Sequence, residues 1–328
     1  MENNTITTQL SDLVISEIQL LSSIAKANGS HISLRDITTL TSTNFSERQL
    51  EEAWSSNPTL SSTYEVKQNL VLERTNTSTE ERLSEIREQS EKRVRATEYI
   101  TFARGFQSWC KGKHAKLLSV SGSTSYLSPS LSDDLDFFAI ARQDSLWIFL
   151  TRALILARFF RLLRRGTPRI CFSYAIDEGL AEKEFAPSND PLSARDALTT
   201  LVVYGTEFYT HLLRRNSWIS NYFPTLYGQK TGNIGPERSE PNRTSSSTGR
   251  KFLNLLLFYI VGDYIRIKSA LLNRKLLRRG KNGAVFTLKM GRDRLIFEST
   301  RYSNLRRLYG NFATAKVRKH TPALREGE

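Results

Sequence analysis

The stretch LLSVSGSTSYLSPSLSDDLDFFAIA, residues 117–141, constrains the fold more than any other. Two short apolar runs, Leu117 to Val120 and Phe137 to Ala141, flank a Ser- and Gly-rich connection that ends in alternate carboxylates. Short apolar runs bounded by turn residues read as strands. Gly122 permits a tight turn that brings backbone N–H groups close to an anion, and Ser123 adds a hydroxyl, so the connection is a candidate phosphate cradle. Asp134 and Asp136 are two apart, which on an extended chain aims both carboxylates at one face while Leu135 and Phe137 point to the other. Such a pair repels itself unless a cation lies between, and hard oxygen ligands suit Mg²⁺ carrying nucleotide phosphates. The alternative is an ordinary hairpin whose exposed loop carries Ser and Asp.

Gly122-Ser123, ten residues, then Asp134-Leu135-Asp136 resembles the signature of the nucleotidyltransferase superfamily typified by polymerase β. The stretches SDDLDFFAIARQDSLWIFLTR, RICFSYAI and DPLSARDAL followed by RRNSWISNYFP extend the resemblance over most of residues 10–224. They are similar to a bacterial and archaeal branch of nucleotidyltransferase-domain proteins that has a small winged-helix-like domain before the catalytic part. The resemblance implies an α/β (α+β) fold with a polymerase β-like core around a small mixed sheet. It also implies Mg²⁺- or Mn²⁺-dependent transfer of a nucleoside monophosphate from an NTP to an acceptor, which would be RNA, DNA, a protein or a small molecule. Gly122 and Ser123 would then grip the triphosphate, and Asp134 and Asp136 would be the metal-binding catalytic carboxylates.

Members of the superfamily commonly supply a third carboxylate from a later strand. In the strand RICFSYAID, 169–177, the only acid is Asp177, at its end, with Glu178 just beyond. Alternation puts Cys171, Ser173, Ala175 and Asp177 on one face. Asp177 is therefore expected at the cleft as the third catalytic carboxylate, within roughly 8 Å of Asp136. Without it the reading shifts to a catalytically inactive nucleotide-binding regulator or a one-metal site, and a winged-helix DNA-binding protein stays open as a further alternative.

A chain of 328 residues exceeds what one core fills, so more than one domain is expected. Lys and Arg number 47 against 33 acids, a net +14 that favours a polyanionic partner, either nucleic acid or an anionic membrane surface. Two cysteines, Cys110 and Cys171, exclude a disulfide scaffold, and with no signal peptide at the start the expected compartment is the cytoplasm. The four histidines include no pair at metal-ligand spacing, which excludes a zinc site or a Ser-His-Asp triad as the leading reading. Two apolar runs, 145–160 and 252–267, are interrupted by charge and fall short of the ~20 residues a membrane span needs, so they read as packed helices.

Residues 1–75 predict three small helices and a β-ribbon, a winged-helix-like domain. Its third helix, after Ser46, offers Arg48 and Gln49 among Glu47, Glu51 and Glu52, which disfavours a place in a major groove. Residues 76–104 read as a connecting helix, continuing through Phe106, Trp109 and Cys110. The catalytic core is placed at 105–226, with a helix over Leu146 to Leu163 whose Arg161, Arg164 and Arg165 complement the dipole, and a single helix from Ser193 to Arg215. Gly-, Pro-, Ser- and Thr-rich 227–250 reads as a disordered linker. A helical, basic C-terminal region with a hairpin, 251–312, and a disordered tail, 313–328, complete the chain. The Arg and Tyr residues near 301–309 suit either a nucleic-acid backbone or a packed helix face.

Overall fold

Two sheets organise the chain. The computed structural model describes residues 12–27, 29–41, 45–74, 78–110, 112, 114–163, 166–184, 191–232, 247–280 and 285–320, the last ten as backbone. In the N-terminal part, β1 (Ile32–Ser33), β2 (Tyr64–Lys67) and β3 (Leu70–Glu73) form an antiparallel sheet in the order β1-β3-β2. Around it lie α1 (Asp12–Ala27), α2 (Leu34–Leu40), α3 (Glu47–Ser56) and α4 (Pro58–Thr63), one helix more than the sequence predicts. Ser33 and Ser46 start α2 and α3 with reciprocal capping boxes, to Asp36 and Gln49. Gln68 and Asn69 both turn the β2–β3 hairpin at positive φ, as a two-residue hairpin loop of the primed kind requires. The two α3 side chains suited to reading bases are engaged: Gln49 in the cap, and Arg48 with Glu52 at 3.0 Å.

The connector α5 (Thr79–Cys110) has 32 residues. Its Arg82 pairs with Glu65, and Lys92 Nζ donates to the Gly29 carbonyl at 2.5 Å, so the helix is fastened to the N-terminal part along its first half.

The larger sheet has six strands: β4 (Ala115–Ser121), β5 (Leu135–Ala141), β6 (Ile170–Asp177), β7 (Leu201–Tyr204), β8 (Phe286–Met290) and β9 (Arg294–Ser299), ordered β7-β4-β5-β6-β9-β8. Between β4 and β5 lies the short turn α6 (Gly122–Ser125). Only β5 and β6 run parallel, and α7 (Leu146–Leu163), with the bounds predicted, makes the crossover. After β6 come α8 (Glu178–Glu184), α9 (Pro191–Thr199), α10 (Thr206–Arg215), α11 (Pro224–Gly232), α12 (Thr248–Arg278) and α13 (Thr300–His320). Leu135, Phe137, Ala139 and Ala141 enter one apolar core with α5, α7 and α12. Phe138 and Ile140 face the other, which continues through α9 and α10 into the N-terminal part. The chain is a mixed α/β protein with a helical layer on each side of its larger sheet.

Four expectations change. The helix predicted over 193–215 is α9, β7 and α10, because the run Thr199–Val203 is rich in β-branched residues and pairs with β4. Gly205 makes the break: it sits at φ +83°, and a Cβ there would meet the Lys116 carbonyl at 2.1 Å. The linker predicted from 227 is helical to Gly232 and again from Thr248, and 233–246 lie outside the described residues. The C-terminal hairpin is no separate region, since β9 pairs with β6 and completes the core's sheet. The tail predicted as disordered from 313 is helix to His320, and 321–328 lie outside the described residues. Among the described residues no helix is long and apolar enough to cross a membrane.

Candidate functional site

The β4–β5 pairing sets Ser121 opposite Asp136, so the Gly-Ser turn leaves the sheet directly beside the second carboxylate. Gly122 has φ +65°, and a Cβ there would stand 2.7 Å from Asp136 Oδ2. Two independent constraints, backbone conformation and close approach, thus demand glycine where the sequence has it. The loop that follows is held from several sides. Ser128 N–H donates to the Ser123 carbonyl at 3.0 Å, and Tyr126 Oη donates to Asp196 Oδ1 at 2.7 Å. Tyr302 Oη, from α13, donates to the other oxygen of Asp196 at 2.8 Å, and the Arg195 guanidinium lies 4.4 Å from the Tyr126 ring centre. The Gly-Ser turn is thereby fixed to α9 and α13.

The three acids of SDDLD divide by role. Asp133 accepts from Ser130 Oγ at 2.6 Å and Ser130 N–H at 3.0 Å, closing the loop. Asp134 and Asp136 face the cleft. Burial first, and then the Asp134 charge, push the Asp136 carboxyl up to about 7, against the Cys171 thiol, which donates to it. Burial also raises Asp134, opposed first by Arg169 and then by Arg161 and Lys268. Those three cations come from the start of β6, the end of α7 and the middle of α12, and all line the same open cleft of about 2660 Å³. The hydroxyl of Ser128 lines it too, buried and without a hydrogen-bond partner among the described residues.

Asp177 is not in this cleft, which corrects the expectation of a third carboxylate there. β5 and β6 pair Asp136 with Cys171 but Ala141 with Asp177, five residues along, or about 16 Å at ~3.3 Å per residue. The register shifts between Asp136 and Phe138, and this irregularity breaks the alternation read from the sequence. Beyond it Tyr174 and Ile176 share the core of Phe138 and Ile140, while Phe172 and Ala175 share that of Phe137. Asp177, next in the alternation after Ile176, is therefore on the opposite face from Asp136 as well as at the opposite end. There it accepts from Asp144 N–H at 2.7 Å and Gly179 N–H at 3.2 Å, joining the β5–α7 turn to the start of α8.

Cys171 occupies the place beside Asp136. Its thiol is held protonated by burial and by the Asp136 charge, so it is no thiolate ligand. Among the described residues no three His, Cys, Asp or Glu side chains form a group that could hold a metal. The donor set fits one divalent cation shared by two carboxylates, whose mutual repulsion it would relieve, and does not fit the three-carboxylate arrangement.

The structure therefore brings together the predicted Gly122, Ser123, Asp134 and Asp136, and leaves the predicted Asp177 apart. The sequence reading set Cys171 on the cleft-facing side of its strand but gave it no role, and only the register makes it the neighbour of Asp136. It took Arg161 as a helix-dipole complement, and no local pattern connects Lys268 with a carboxylate so far back in the chain. No family model, curated protein or solved structure matches the chain.

Proposed function

We propose that the cleft binds a nucleoside triphosphate as its Mg²⁺ complex, on a nucleotidyltransferase-like frame that keeps two of the three expected carboxylates. The observation that carries the reading is the contact of Gly122 with Asp136, which joins the candidate phosphate turn to the carboxylate pair. Gly122 and Ser123 take the phosphates, Arg161, Arg169 and Lys268 offset their charge, and Asp134 and Asp136 hold the metal. When bound, Mg²⁺ would neutralise charge on the triphosphate and lower the pKa of a hydroxyl beside it.

With the third carboxylate spent elsewhere, the nucleotide-binding regulator accounts for the site better than the two-metal enzyme. Transfer on one metal is the second reading. It is favoured by the extent of the cleft, whose lining continues from the carboxylates to His31 and Lys92 on one side and to Arg301 and Arg306 on another, leaving room for an acceptor. Calorimetric titration of the whole chain with each NTP, in Mg²⁺ and in EDTA, tests the proposal. Binding in Mg²⁺ alone supports it, whereas no binding, or equal binding in EDTA, removes it. Pyrophosphate release from a bound NTP on adding RNA, DNA or cell extract would select the transferase.

A further inference from the structure

A second feature lies on the opposite side of α12 from its core contacts. This 31-residue helix buries Asn254, Phe258, Gly262, Ile265 and Ser269, steps of three and four that make one stripe against α7 and β8. The other side of the helix should then be polar, and it is not. Leu253, Leu256, Ile260, Tyr264, Ile267 and Leu271 repeat at the same spacing and are 43% to 63% exposed. α7 packs alongside, with Arg158 5.2 Å from the Tyr264 ring centre, and adds exposed Ile155, Phe159 and Leu162, the last 85% exposed. Nine such side chains, each half or more exposed in most cases, present on the order of 1,000 Å² of apolar surface, above the ~300–600 Å² of the largest patch on an ordinary monomer.

We infer that this face docks in the plane of an anionic lipid surface. Charge selects the occupant. Within Thr248–Arg278 there are seven Lys or Arg residues and one acid, Asp263, a net of 7 − 1 = +6. The one acid is paired with Arg266 at 2.8 Å. A second copy would set one such helix against another, basic against basic. A nucleic acid would satisfy the charge, but of the nine side chains only Tyr264 and Phe159 offer a plane for a base, and the other seven are aliphatic. Phosphate headgroups over acyl chains match both properties, basic flanks and an aliphatic stripe. The helix carries too much charge to span a bilayer and is disposed to lie on it. Tyr264 and Ile155, at the edge of this face, and Lys268 on its flank also line the cleft, so the face would bring the cleft to the membrane, whereas Ile260 and Ile267 lie outside its lining.

The test is sedimentation of the whole chain with vesicles of phosphatidylcholine alone or mixed with phosphatidylglycerol, over a range of salt. The wild type should bind the phosphatidylglycerol vesicles at least about tenfold more tightly than the neutral ones, and less tightly as salt rises. Ile260→Glu with Ile267→Glu, at exposed positions, should reduce that binding by at least about tenfold. Circular dichroism, melting temperature and Mg²⁺–NTP binding should be unchanged in the variant, so that loss of lipid binding is read separately from the nucleotide site. Equal vesicle binding by wild type and variant, or none by the wild type, overturns the inference. A dimer that the substitutions dissolve, without lipid binding, assigns the face to a second copy; RNA binding lost in the same way assigns it to RNA.

Discussion

At one end of the β5–β6 pair, Asp136 meets burial and the charge of Asp134 with a single thiol as its donor. At the other end Asp177 is also buried, yet backbone N–H groups of Asp144 and Gly179 reach it. Burial pushes both carboxyls up, Asp136 to about 7 and Asp177 to about 6. The difference lies in what answers the burial. Asp177 is answered by the fold, because its hydrogen bonds tie two turns together. Asp136 is answered by the Cys171 thiol alone, and the proposed cation would supply the partner it lacks. Burial alone does not mark a functional carboxylate; the absence of structural employment does.

The largest effect should separate the two ends by ligand binding. Asp134→Asn with Asp136→Asn should weaken Mg²⁺–NTP binding at least about 100-fold, while Asp177→Asn leaves it within about twofold. Titration calorimetry on the three proteins measures this, and equal losses in both variants would erase the distinction.

Stability should show the reverse pattern. Asp177→Ala strands the N–H groups of Asp144 and Gly179 and should cost about 2 kcal/mol. Asp136→Asn removes a repelled charge and should leave stability unchanged or raised. Urea unfolding checks both signs.

The pH dependence sharpens the account of Asp136. Its carboxyl must lose a proton to hold a cation, so Mg²⁺–NTP affinity should rise about tenfold per pH unit up to about 7 and then level. Because the folded value exceeds the unfolded one, the proton-linked stability from Asp136 is present below about pH 4 and lost as pH rises through 7. Asp136→Asn should flatten that part of the melting-temperature profile relative to the wild type.

Much of this site was legible because its signals are local. Gly122, Asp134 and Asp136 lie on one hairpin, where strand period and turn chemistry fix their relation without help from the rest of the chain. α7 was legible for a similar reason, being a long apolar run with a basic end. Asp177 was misread because the pairing sets Asp136 beside Cys171 and Asp177 at the far end of β6, and because one register irregularity between Asp136 and Phe138 also reverses the face of every later residue in β6. β7 was misread because its short strand sits between helices and is held by pairing with a strand eighty residues earlier, as Ser119 and Val202 show. Arg169 reaches the carboxylates through the β5–β6 pairing, and Arg161 and Lys268 through the packing of α7 and α12 over the sheet, which no local pattern encodes.

The central claim is that the site holds its metal with two carboxylates, Asp134 and Asp136, and without Asp177. Counting Mn²⁺ bound per chain by electron paramagnetic resonance, with a non-hydrolysable NTP present, tests it most directly. The account predicts one ion per chain in the wild type and in Asp177→Asn, and none above background in Asp134→Asn with Asp136→Asn. Two ions in the wild type, falling to one in Asp177→Asn, would contradict it.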